Sequence, residues 1–73
     1  MAQEVVQAPI PGKITTVNVA NGASVEESTV LCYLESMKME NPILSPVKGT
    51  VNEIKVTPGQ IVKSGDVIAV IEY

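Results

Sequence analysis

The sequence predicts an all-β fold: a flattened β-barrel or sandwich of two four-stranded antiparallel sheets, related by an internal pseudo-two-fold axis. Three observations lead there. The chain repeats itself, its core candidates are almost entirely Val, Ile and Leu, and no stretch carries the 3.6-residue periodicity of a helix.

The repeat appears when the chain is slid over itself by 37 positions, the separation of Pro9 and Pro46. Residues 8–35 (APIPGKITTVNVANGASVEESTVLCYLE) then overlay residues 45–72 (SPVKGTVNEIKVTPGQIVKSGDVIAVIE) without a gap. Gly12 falls on Gly49, Val19 on Val56, Gly22 on Gly59, Val25 on Val62, Val30 on Val67 and Glu35 on Glu72. Apolar positions match between these anchors: Ile14 with Val51, Val17 with Ile54, Leu31 with Ile68, Leu34 with Ile71. Matched glycines and a matched proline in one register weigh against chance similarity of two β-rich stretches.

Composition supports strands. Hydrophobic residues make up 45% of the 73, yet Phe and Trp are absent, so the core must be built from branched aliphatic side chains. A chain this short reads as one domain over residues 1–73 and buries only about 60% of its unfolded surface. Cys32 is the only cysteine, which excludes an internal disulfide, and with no histidine a zinc site has no ligand set. Closure of the sheet, with few free edges, is the remaining source of stability.

The elements follow in order. Residues 5–8 form a candidate edge strand that stops at Pro9. Pro11-Gly12 turns the chain into a strand over 13–19, whose alternation of Ile14, Val17 and Val19 is imperfect. Asn21-Gly22 signals a tight turn, since both residues accept positive φ, and Pro58-Gly59 takes that place in the second half. Strands follow over 30–35, 39–44, 49–56 and 67–72. Pro42 makes the strand over 39–44 an edge or an irregular one. Two such units, each with an exposed apolar face, are expected to bury those faces against each other.

Between the halves lies Glu35-Ser36-Met37-Lys38-Met39-Glu40. The strands on either side are so close in sequence that a tight hairpin over 36–40 is the simplest link, with Met37 and Lys38 at its tip. Neither is a turn former, and the backbone strain this implies points to function. Under the 37-residue offset, the counterparts of Lys38 are the chain termini. The symmetry therefore puts Lys38 at the end opposite to them.

Other functions are excluded on composition. The net charge is −3, and the five basic residues are all lysines forming no stripe, which argues against nucleic acid. No apolar run reaches membrane-spanning length. No secretory signal is visible at Met1-Ala2-Gln3-Glu4, so a reduced, cytoplasmic setting is the default expectation. Cys32, matched to Ala69 in the repeat, reads as a small core residue. Lys13, Lys48, Lys55 and Lys63 read as solvated surface charges, as do Glu26 and Glu27.

The hexapeptide around Lys38 resembles the attachment motif of biotin carboxyl carrier domains, in which a lysine between two methionines is biotinylated. The likeness spans nearly the whole chain through Pro9, Gly12, Gly22, Pro46, Gly49, Gly59, Gly65 and Asp66. It implies a barrel-sandwich hybrid fold and covalent biotin on Lys38. It also implies recognition by biotin protein ligase and partner enzymes through Met37, Met39, Ser36, Glu35 and Glu40, with no catalytic residue of its own. The partners implied are biotin carboxylase with carboxyltransferase or decarboxylase subunits or domains. Related lipoyl domains share the fold but carry Asp-Lys-Ala at the tip, which is absent here. The protruding thumb of some acetyl-CoA carboxylase carriers is also missing. The likeness is therefore to thumbless carriers, as in pyruvate, propionyl-CoA and other acyl-CoA carboxylases, decarboxylases and transcarboxylases. No Ala/Pro-rich linker precedes the domain, so the chain is expected to be a stand-alone carrier or a fragment. Where the second half has Gly65-Asp66, the first has Ser28-Thr29, which leaves the turn before Val30 open.

The residues agree with a presented group rather than a catalyst. A free lysine has pKa ~10.4, and Glu35 and Glu40 would raise it further if they lie close. Deprotonation must then come from the ligase. No acid–base pair, metal cluster or phosphate loop is visible. Two other classes stay open: a lipoyl-type acyl carrier and an unmodified β-barrel interaction module. The plainest structural alternative makes both methionines core fillers and Lys38 a solvated charge.

Overall fold

A computed structural model describes residues 1–73. Eight strands form it: β1 (Gln3–Gln7), β2 (Gly12–Val17), β3 (Ser24–Val25), β4 (Val30–Ser36), β5 (Met39–Leu44), β6 (Gly49–Ile54), β7 (Ile61–Val62) and β8 (Val67–Glu72). They make two antiparallel four-stranded sheets, ordered β1-β8-β6-β3 and β5-β4-β2-β7. No helix is present, so none is long and apolar enough to cross a membrane. Two strands, β3 and β7, escape the sequence reading: two residues each are too few for an alternation to register.

Shifting residue numbers by 37 converts β1 to β5, β2 to β6, β3 to β7 and β4 to β8, and thereby converts one sheet order into the other. The pseudo-two-fold symmetry is therefore complete. The expected packing of two units takes an interleaved form: each half contributes strands to both sheets. Residues 8–35 place β2 and β4 in one sheet and β3 in the other, so the two copies interlock strand by strand.

Even the irregularities repeat. The register slips between Ile14 and Thr16 in β2, and between Val51 and Glu53 in β6. This bulge is why Ile14 and Val17, three apart, both face inward. Pro42 lies within β5, which is the edge strand of its sheet, where a missing N–H costs no ladder bond.

The turns repeat as well. Ala23 N donates to Ala20 O, and Gln60 N to Thr57 O. Gly22 and Gly59 sit at φ 88° and 91°, whereas Asn21 is not left-handed. The Asn-Gly pair thus adopts the proline–glycine geometry of its counterpart, with only its second residue at positive φ. The turn before Val30 also keeps its form despite the changed sequence. Ser28 takes φ 75° where Gly65 takes 93°, and Thr29 Oγ1 accepts from Glu26 N as Asp66 Oδ2 accepts from Lys63 N.

The core is a single cluster that includes Ile14, Leu31, Leu34, Val51, Val62, Ile68 and Ile71, all essentially inaccessible. Cys32 and Ala69, a matched pair, are both fully buried within it. Burial pushes the Cys32 thiol up from 9.0 to about 11. It is a core atom group, not a nucleophile.

Gly12 and Gly49 are the tightest backbone approaches. A Cβ on Gly12 would run into the Glu35 carbonyl and the Leu34 Cδ1 atom; one on Gly49 would meet the Glu72 carbonyl and the Ile71 Cγ2 atom. Only glycine lets β2 and β4, and likewise β6 and β8, lie this close.

Candidate functional site

The β4–β5 hairpin closes with Ser36 opposite Met39 and only Met37 and Lys38 between them. A two-residue link between twisted antiparallel strands favours positive φ at both positions. Met37 stands at φ 55° and Lys38 at φ 66°, so the hairpin has this geometry without the glycine or asparagine that normally supplies it. Left-handed backbone costs a residue with a Cβ roughly 1–2 kcal/mol each. The surrounding ladder must hold what local preference opposes.

The two methionines are not core fillers. Met37 is 92% exposed and Met39 67%, and Lys38 is exposed between them. Lys38 forms no ion pair; the one salt bridge joins Lys55 to Glu53, at 3.2 Å on the other sheet. Lys13, Lys48 and Lys63 are exposed, as expected of solvating charges.

Glu35 and Glu40 stand directly opposite each other across β4 and β5, while Lys13 faces Glu35 from β2. Partners in register share a sheet face, so these three form a charged row on the outer surface. Glu40 is not turned towards Lys38. Its Oε2 accepts from Thr15 Oγ1 at 3.0 Å, with the side chain reaching over β4. Neither glutamate is salt-bridged to the lysine. Ser36 is half-buried and pairs with Met39 in the ladder.

Three residues beneath the tip carry a role that sequence reasoning missed. Asn41 Nδ2 donates to Leu34 O and to Met39 O, each at 3.3 Å. Thr15 occupies the β2 bulge and anchors Glu40. Gly12 admits the Glu35 backbone. Two left a signal: Gly12 through its match to Gly49 in the repeat, and Asn41 as a polar residue opposite Leu34, where the alternation calls for an apolar one.

The topology sets the site's address. Along β4, the tip end lies beside Gly12 and Lys13, and the other end runs to Val30 and Leu44. In the other sheet, Ala2 and Tyr73 exchange backbone hydrogen bonds of 2.8 and 2.9 Å, next to the Thr50–Glu72 pair. From Ser45, beside Thr29 at the far end of β4, the chain reaches Gly49 beside Glu72 in four residues. Such a link spans at most about 14 Å, against a long axis of 36 Å. The termini therefore flank the end of the β4 sheet remote from Lys38, and the tip and the termini lie at opposite ends.

Chemically, the site is a primary amine on a four-carbon stem, exposed, unpaired and framed by two apolar side chains. No cavity opens beside it. Such an amine is open to covalent attachment through an amide bond.

Comparisons with known proteins agree on one group. A family model described as "Biotin-requiring enzyme" matches residues 4–71. The "Biotinylated protein TB7.3 homolog" of Mycobacterium leprae is 43% identical over 71 residues, covering 97% of this chain and 99% of that protein. Mitochondrial pyruvate carboxylase of Rattus norvegicus is 43% identical over 65 residues, 89% of this chain but 6% of that enzyme. The urea carboxylase of Kluyveromyces lactis contains a region of the same shape, with a TM-score of 0.91 at 28% identity, covering 99% of this chain and 6% of that one.

Proposed function

Because the chain belongs to the biotin-requiring enzyme family, we propose that Lys38 carries its biotin, and that the domain offers it as a mobile arm to a larger biotin-dependent carboxylase, decarboxylase or transcarboxylase. The chain is a non-catalytic carrier, with residues 1–73 acting as one unit and 36–40 as the attachment hairpin. Biotin would be the covalent cofactor, held by Lys38, and when bound it would supply a ureido nitrogen able to accept and release a carboxyl group.

The observation that carries this reading is the left-handed Met37–Lys38 turn, which two non-glycine residues adopt at an exposed tip. A turn needed only to join β4 to β5 would be met more cheaply by Asn-Gly. Lys38 supplies the nucleophile: its Nζ attacks the acyl carbon of biotinyl-adenylate held by biotin protein ligase, giving up a proton to a base on the ligase as AMP leaves and the amide forms. Met37 and Met39 give the ligase an adaptable apolar grip on either side. Glu35, Glu40 and Ser36 frame that surface with charge and a hydroxyl. Biotin carboxylase and carboxyltransferase or decarboxylase domains are the remaining partners, since a tethered arm replaces free diffusion by a local search.

The test is intact-mass analysis of the chain co-expressed with biotin protein ligase. One biotinyl addition is expected in the wild type and in Lys55→Ala, and none in Lys38→Ala. Labelling that persists in Lys38→Ala sinks the assignment; labelling by a lipoyl ligase alone transfers the domain to acyl transfer.

A further inference from the structure

Asn41 stands out because nothing in the fold calls for an amide there. In an antiparallel pair, opposed residues share a face, and Asn41 lies opposite the buried Leu34, two positions from the buried Ile43. The inward face wants an apolar side chain at this point. Its counterpart in the other sheet, Glu4, makes no side-chain hydrogen bond. The amide is thus particular to the end of the molecule that bears Lys38.

Its two hydrogens have two acceptors. One goes to Leu34 O on the neighbouring strand and the other to Met39 O, the residue that follows Lys38. Both neighbours are carbonyls, so the flipped rotamer would set Oδ1 against two other oxygens; the orientation is fixed by chemistry. The side chain therefore ties β4 to β5 two rungs below the Ser36–Met39 pair that closes the turn, and grips the carbonyl at its exit.

We infer that Asn41 is a positioning residue for modification: its amide keeps the Met37–Lys38 turn in the left-handed form that presents the amine. This rests on Lys38 being the attachment site. Two non-glycine residues at positive φ tend to relax towards other turns, and the ladder alone is weakest at its last rung. If only the left-handed turn fits the ligase, any loss of that population raises the apparent dissociation constant in proportion. Turnover of the bound complex does not change.

The experiment compares the full-length wild type with Asn41→Ala and Asn41→Asp, the second keeping the shape but removing both donors. Biotinylation by biotin protein ligase is measured as separate KM and kcat, with amide hydrogen exchange followed residue by residue. The expected result is a KM raised by about three- to tenfold at unchanged kcat in both variants. Exchange should quicken at Met37, Lys38 and Met39, but not at Ile68 or Ile71. A wild-type KM in either variant overturns the inference. So does a melting shift with faster exchange spread evenly over the sheet, which is what a purely structural role would give. If the wild type itself takes no biotin, the reading of Lys38 has failed instead, and tip-confined exchange alone still decides whether Asn41 sets the turn.

Discussion

The pseudo-two-fold axis pairs two corners of the molecule that differ in one respect. At one, Ser36 and Met39 are joined through Met37 and Lys38; at the other, Tyr73 and Ala2 face each other with no chain between them. The second corner closes with two backbone hydrogen bonds and no covalent link. Pairing at this position therefore does not require a tight connection. The strained turn at Met37 and Lys38 is therefore not dictated by the strand pairing alone, and the matched corner is the internal control for that.

The comparison can be broken most completely at the lysine. Lys38→Ala should abolish biotin attachment and leave the melting temperature within about 4 °C of wild type, because an exposed, unpaired side chain contributes within about 0.5 kcal/mol. A large loss of stability would mean that the tip does help to hold the fold.

Next in size are the paired glycines. Gly12→Ala and Gly49→Ala each force a Cβ into a carbonyl, and each should cost about 1–3 kcal/mol in urea denaturation. Only Gly12→Ala should also slow biotinylation, since it displaces Glu35 beside the tip. Equal slowing in both would mean that the site reads overall stability and not local geometry.

Cys32 and Ala69 give a smaller, pH-dependent contrast. The thiol is raised from 9.0 to about 11 in the folded state. The unfolded chain therefore loses this proton first, and stability falls as pH rises from about 9 towards 11. The stabilisation is fully present below about pH 9. At 1.36 kcal/mol per pKa unit the loss is at most about 2–3 kcal/mol. Cys32→Ala, which copies the other sheet, should flatten that part of the alkaline profile; an unchanged slope would assign it to other groups.

The smallest effect is expected at Ser28. It holds φ 75° where its counterpart is Gly65, so Ser28→Gly should stabilise by up to about 1 kcal/mol and Gly65→Ser should destabilise by a similar amount. A Ser28→Gly variant less stable than wild type would show that the serine contributes a contact beyond the turn.

Much of this was legible because the sequence states its fold twice. The offset that aligns Gly12 with Gly49 also aligned the strands, and it located Lys38 opposite the termini before any coordinates. Interlocking was not legible, because a repeat gives the equivalence of its halves but not which strands of each pair up. Nor were β3 and β7, whose two-residue pairings depend on neighbours distant in sequence. At the site, Met37 and Lys38 were found because they violate turn preference. Asn41 and Thr15 act through contacts across the sheet, between residues 7 and 25 positions apart, and no local pattern announces those.

The adjacency of Ala2 and Tyr73 has a mechanical side. Any polypeptide continuing from either end would leave from nearly one point, at the far end of a body 36 Å long. That point is a fulcrum. A rotation of about one radian there sweeps Lys38 along an arc of roughly the domain's own length before the lysine stem bends at all. The rigid barrel is then the long segment of a two-segment lever. Its length would add to the reach of any group attached at Lys38.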